Sequence, residues 1–156
     1  MGNKGEVYDS PSPVMTFEAG GRWLAVRVDQ VDRVAVASRL WPVPLASRHH
    51  AGLFDSGSEL VPVMQLDDTA VPETAEHLLA LLHVRGATVG LAIERAGRVY
   101  DRWSCEDTRD TAPDIIAAAG AVPAHSSDHH FWLVDTDRLF AEPDGTPFSA
   151  TPTRGP

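Results

Sequence analysis

Between residues 13 and 141, apolar side chains recur mostly at every second position, the spacing of strands rather than of helices. Val14 to Glu18 reads as one strand and Trp23 to Val28 as its return, with Leu24, Val26 and Val28 on one face. Gly20 and Gly21 between them suit the positive φ angles of a tight hairpin turn. Val31, Val34 and Val36 extend the strand pattern, and Pro42 and Pro44 mark a loop. Leu60 to Leu66 is a further strand, and its internal Pro62 predicts an edge position or a bulge. A polar link, Asp67 to Glu76, follows. Leu78 to Val84 fits a buried strand or a short helix; the Arg85-Gly86 turn and the apolar run Val89 to Ile93 favour a hairpin. Arg98 to Trp103 is a candidate strand, residues 104–114 read as loop, and Pro113 to Ala119 as a short helix stopped by Gly120. Phe131 to Val134 is a late strand, and Asp135 to Phe140 a short helix capped by its aspartate. Many short strands without alternating long helices predict an all-β barrel or sandwich.

The ends change the picture only by setting its limits. Residues 1–12 and 142–156 mix Gly, Ser, Asp and Pro without periodicity and predict disordered tails around a folded part at 13–141. With 156 residues and 43% apolar side chains, the chain has enough for one core, or for two small halves sharing one. The formal net charge of −9 argues against nucleic acid and anionic membrane, which need a basic patch. Of 13 basic residues only Lys4 is lysine. Cys105 is the single cysteine, so an internal disulfide is excluded and a reducing compartment is favoured. No apolar run approaches the length of roughly 18 residues expected of a membrane span, and the polar N-terminus lacks the core of a secretory signal. The expectation is a soluble cytoplasmic protein with no direct membrane insertion.

Reactive constellations are thin. The histidines cluster at His49-His50 and at His129-His130, with His125 nearby, but no zinc spacing accompanies them; solvated loop histidines account for them better. Cys105 lies beside Ser104 without a nucleophile elbow, and the acid pairs Asp67-Asp68 and Glu106-Asp107 sit in polar sequence where both carboxylates stay solvated. Asp135 and Asp137 fit a helix cap and first turn. No phosphate-cradling glycine loop is present. The reading is of a non-enzyme without cofactor or metal. Among the tryptophans, Trp41 stands between Leu40 and Pro42 and is the one expected at the surface as a partner anchor.

Four segments, in order, carry a resemblance: residues 14–34 (VMTFEAGGRWLAVRVDQVDRV), 52–66 (GLFDSGSELVPVMQL), 89–99 (VGLAIERAGRV) and 131–140 (FWLVDTDRLF). Together they resemble the CheW-like family of bacterial chemotaxis adaptors. The second is similar to the family's G-V-x-N-L-R-G-x-x-V-P-V-x-D-L. The resemblance implies two small five-stranded SH3-like barrels packed together, with one or two short helices. It places the first barrel at roughly 13–68 and the second at 77–141, strands being exchangeable between them. It also implies a non-catalytic scaffold that binds a chemoreceptor cytoplasmic tip and the regulatory domain of a CheA-type histidine kinase. Matched onto this chain, it puts Val31, Gly52, Gly90 and Val99 at partner-facing or structurally sensitive positions. The receptor tip would lie between the barrels on apolar residues such as Val31 and Val99. The kinase domain would meet the strand at residues 60–66, around Val61 and Val63, edge to edge, with Asp55 keeping an acidic charge nearby in the turn where Gly57 offers no side chain. Each of these positions also fits a plain core or backbone role. The chain departs from the pattern where Gly57 replaces the family's arginine, Ser58 its glycine and Gln65 its aspartate. The departures leave a second reading, a CheW-like module in a non-chemotaxis regulatory complex or one binding a small molecule.

Overall fold

The computed structural model describes residues 12–44, 49–66, 76–106, 116 and 120–141. Eleven strands are described: β1 (Val14–Ala19), β2 (Arg22–Arg27), β3 (Val31–Ala37), β4 (His50–Asp55), β5 (Leu60–Met64), β6 (His77–Val84), β7 (Ala87–Ile93), β8 (Arg95–Tyr100), β9 (Ser104–Cys105), β10 (Val122–Ser126) and β11 (His129–Leu133). A 3-10 turn, Val28–Gln30, joins β2 to β3, and the helix α1 spans Thr136–Leu139. The strands form two sheets. A terminal sheet runs β8-β1-β2-β11-β10-β9, and a middle sheet runs β3-β6-β7-β5-β4.

The two sheets are nested along the chain. The middle of the chain builds one sheet by itself, while β1 and β2 wait for β8 to β11 to complete the other. The chain crosses once after Arg27 and returns at Glu94, whose N–H donates to Glu18 O at 2.6 Å.

Period two explains the packing. In β6, Leu79 and Leu81 point into the interior of the middle sheet with Val61, Val63, Ala37 and Leu40. The intervening Ala80, Leu82 and Val84 point the other way, into a cluster shared with the terminal sheet. β7 does the same with Val89, Leu91 and Ile93, and β1 and β2 answer with Phe17, Ala19, Leu24 and Val26. The opposite faces of β1 and β2 supply Val14 and Ala25 to a third cluster with Trp103, Ala124 and Phe131. Four strands are therefore buried on both faces, which is why they read as near-continuous apolar runs. The seam between the sheets holds the largest apolar cluster and so positions every surface at its margin.

Several expectations shift in detail. The segment around residues 104–114 was expected to be loop, yet Ser104 and Cys105 pair with β10. Arg98 to Trp103 was expected to be one strand, but β8 ends at Tyr100 and Trp103 turns inward, donating from Nε1 to Ser12 O at 2.9 Å. Strand β5 is neither at an edge nor the bulged partner. It lies between β4 and β7, and the register shift falls in β4 between His50 and Gly52. Pro62 is tolerated because its partner Leu53 gives both backbone groups to Trp41, at 2.8 Å each. Leu53 and Pro62 thus face each other as a non-hydrogen-bonded pair, and the missing N–H costs no bond to β4. Ile116 is helical and wholly buried in the seam. The rest of the expected helix at Pro113 to Ala119, the Asp67 to Glu76 link up to residue 75, and the tails lie outside the described residues.

Candidate functional site

Two surfaces follow from the register. Directly opposed residues of paired strands share a face. In β3, Val31, Val34 and Val36 oppose Leu82, Ala80 and Leu78, all on the seam side of β6. Val31 is partly buried against the seam, while Val34 and Val36 are 36% and 61% exposed. On the other sheet Val99 opposes Met15, which packs against the same cluster, and Val99 is 55% exposed. The seam's apolar faces thus continue past their overlap onto two edge strands, β3 and β8. Val31 and Val99 both stand at this margin, with Val34 and Val36 beside Val31.

Besides its ladder with β1, the edge strand β8 is clasped by one side chain where that ladder is irregular. At the register shift in β1, the buried Thr16 hydroxyl accepts from Arg98 N at 3.1 Å and donates to Arg98 O at 3.4 Å. It stands in for ladder bonds that the shift interrupts. Gly97 permits the approach, because a Cβ there would lie 2.2 Å from Thr16 Oγ1.

The second surface is the β4–β5 hairpin. Inward go Phe54, Val61 and Val63. Outward go Leu53 with its neighbour Trp41, and Asp55 with its neighbour Leu60, while Pro62 opposite Leu53 is buried. Trp41 is 46% and Leu60 51% exposed, and the Arg39 guanidinium lies over the Trp41 ring at 3.9 Å. The turn closes on itself. Asp55 Oδ1 accepts from Gly57 N at 2.9 Å, Ser56 N donates to Glu59 O at 3.0 Å, and Ser56 Oγ accepts from Glu59 N at 3.3 Å. Gly57 holds φ at +97° in open space, so it shapes the turn and offers no side chain.

The expected edge-to-edge contact through Val61 and Val63 is corrected here. Both are buried in the middle sheet's interior, and β5 is paired on either side, so neither its edge nor these side chains meet solvent. Gly90 lies beneath them, 3.1 Å from Val63 Cγ2 when a Cβ is placed on it, and acts on packing. Gly52 is also buried. Its φ of +137° and the 2.8 Å that would separate a Cβ from Trp41 O make it the residue that lets Trp41 lie against β4. Trp41, Asp55 and Leu60 are what the hairpin presents.

Of the clustered histidines only His49 lies in a turn; His50, His125, His129 and His130 are on strands. His125 on β10 opposes His130 on β11, and both rings turn to Glu106: His130 Nδ1 contacts Glu106 Oε2, and His125 Nδ1 lies 3.6 Å from it. His50 Nδ1 accepts from Gly52 N at 3.2 Å, within the hairpin's own bulge. Among the described residues no group of three His, Cys, Asp or Glu side chains is placed to hold a metal ion. Burial pushes the Cys105 thiol from 9.0 up to about 11, away from the thiolate that a nucleophile needs. Asp135 caps α1, accepting from Asp137 N at 3.0 Å and Arg138 N at 3.4 Å. No described helix is long and apolar enough to cross a membrane.

Comparisons with known proteins agree with this architecture. A family model described as CheW-like domain matches residues 13–144. A curated relative, "Chemotaxis protein CheW" of Treponema pallidum (strain Nichols), is 24% identical over 147 residues, covering 86% of this chain and 85% of the relative. The crystal structure of the scaffolding protein TtCheW from Thermoanaerobacter tengcongensis superposes with a TM-score of 0.66 at 13% identity, over 86% of this chain and 95% of that one. The likeness to that structure is one of fold.

Proposed function

The chain belongs to the CheW-like domain family, and from that premise we propose that it links chemoreceptors to a CheA-type histidine kinase by binding both without covalent chemistry. Proteins of this family are non-enzymatic scaffolds, and this chain is one of them. The receptor's cytoplasmic tip, a helical element with an apolar stripe, lies along the seam margin on Val31, Val34, Val36 and Val99. The kinase's regulatory domain meets the outward face of the β4–β5 hairpin at Trp41, Asp55 and Leu60. Gly52, Gly57, Gly90, Val61 and Val63 hold that face in shape. Both contacts are on the cytoplasmic side.

The observation that supports this reading best is the seam margin itself. Large apolar side chains there stay exposed on faces that are otherwise buried between the sheets. Exposed β-branched residues on an edge strand are a liability unless something covers them. Sedimentation of the chain with receptor-tip and kinase regulatory fragments tests the proposal. Complexes with each are expected; no association with either at tens of micromolar overturns it.

A further inference from the structure

We propose that the chain forms a two-fold dimer in which β3 pairs antiparallel with β3 of a second copy, Ala35 lying on the axis. Four strands end the two sheets: β3 and β4 in one, β8 and β9 in the other. An open strand edge invites another strand unless charge, a bulge, brevity or a cover blocks it. Strand β9 has only two residues. Strand β8 is bulged against β1 and carries Arg95 and Arg98. Strand β4 is covered at Leu53, where Trp41 exchanges both backbone bonds with it. Among the described edges β3 alone has an unblocked run, Val34 to Ala37, with no charged residue, glycine or proline and in regular register with β6. Val34 and Val36 are exposed there on one face.

The order of residues along the run points to a second copy as its occupant. A two-fold axis through a sheet keeps each face continuous, so opposed residues must share a face. With Ala35 on the axis, Val34 of each copy opposes Val36 of the other, and Arg33 opposes Ala37. The valines then meet as cross-strand β-branched pairs. Asp32 falls opposite Ser38 of the second copy, next to its Arg39, and the symmetry repeats that opposite-charge contact at the other end. Moving the axis to Val34 sets Val36 against Asp32; moving it to Val36 sets Arg33 against Arg39. One register is therefore both apolar in the middle and charge-matched at its ends. The contact is short, well below a standard interface, and each copy carries a net charge of −9, so the dimer is weak and concentration-dependent. The receptor tip competes for the same valines, a consequence that rests on the receptor reading above.

The test uses the full chain alone, so its failure leaves the receptor reading untouched. Sedimentation equilibrium up to about 1 mM is expected to show reversible exchange between monomer and dimer. Val36→Lys changes an exposed site and makes the chain less acidic, so general repulsion falls; the dimer is nevertheless expected to weaken by about tenfold or more. In a Cys105→Ala background, Ala35→Cys is expected to form a covalent dimer with itself under mild oxidation, because directly opposed Cα atoms lie about 4.5–5.5 Å apart. Val34→Cys and Val36→Cys are expected to cross-link when mixed and not when alone. A chain that stays monomeric at about 1 mM overturns the proposal. So does a dimer that Val36→Lys leaves unchanged, or one in which Val34→Cys and Val36→Cys each cross-link to themselves as readily as to each other.

Discussion

Single atoms decide whether the two surfaces keep their shape. Gly52 sits where a Cβ would strike the Trp41 carbonyl at 2.8 Å, in a backbone region that side chains rarely adopt. Gly52→Ala is expected to cost about 2–3 kcal/mol of stability in urea unfolding, from backbone strain plus the clash. Thr16→Val removes the hydroxyl that clasps Arg98 and takes a hydrogen bond each from the Arg98 N–H and C=O, both on a partly exposed edge strand. The expected cost is about 1–3 kcal/mol, with faster hydrogen exchange in β8 than in β1. Cys105 adds a pH effect. Its folded-state thiol titrates near 11 and its unfolded thiol near 9, so folding favours the protonated form. That share of stability is present below pH 9 and is lost as pH rises through 11. Unfolding midpoints between pH 8 and 11 are expected to fall more for the wild type than for Cys105→Ala.

At the level of elements, α1 shows how little sequence a seam component needs. Asp135 satisfies two of its orphan amides, and the helix then delivers Leu139 and Phe140 to the seam. Asp135→Ala is expected to cost about 1 kcal/mol in thermal or urea unfolding. This helix and the β6–β7 hairpin were legible because a capping residue and a two-residue turn act locally. The short strands β9 and β10 were not, because Ser104-Cys105 and Val122 to Ser126 carry no apolar alternation and are ordered by pairing with distant partners. The face of β5 was misjudged for a related reason. Period two says that Val61 and Val63 share a side with each other, but not which side is inward; Leu79 and Leu81, far along the chain, settle that. Val34 and Val36 went unnoticed as surface residues because their alternation with Ala35 and Ala37 resembles ordinary burial. Trp41, flanked by Leu40 and Pro42, announced its exposure correctly.

For the whole molecule, the nesting of the middle sheet within the terminal one sets the two proposed partner surfaces on two clusters, β3 and β8 on the seam and the hairpin on the middle sheet's interior, joined back to back through β6 and β7. Val36→Asp and Val99→Asp lie outside both clusters, so each is expected to change stability by no more than about 0.5 kcal/mol while abolishing capture of the receptor fragment. Individual contacts of this kind are small, and stable assemblies then arise from engaging both surfaces at once. The most direct measurement is sedimentation velocity on an equimolar mixture of this chain, the receptor tip and the kinase regulatory domain. A single faster species containing all three is expected, losing only the receptor with Val36→Asp and only the kinase domain with Leu60→Asp. Mutually exclusive pairs, or three components sedimenting independently, would contradict a scaffold with two separate faces.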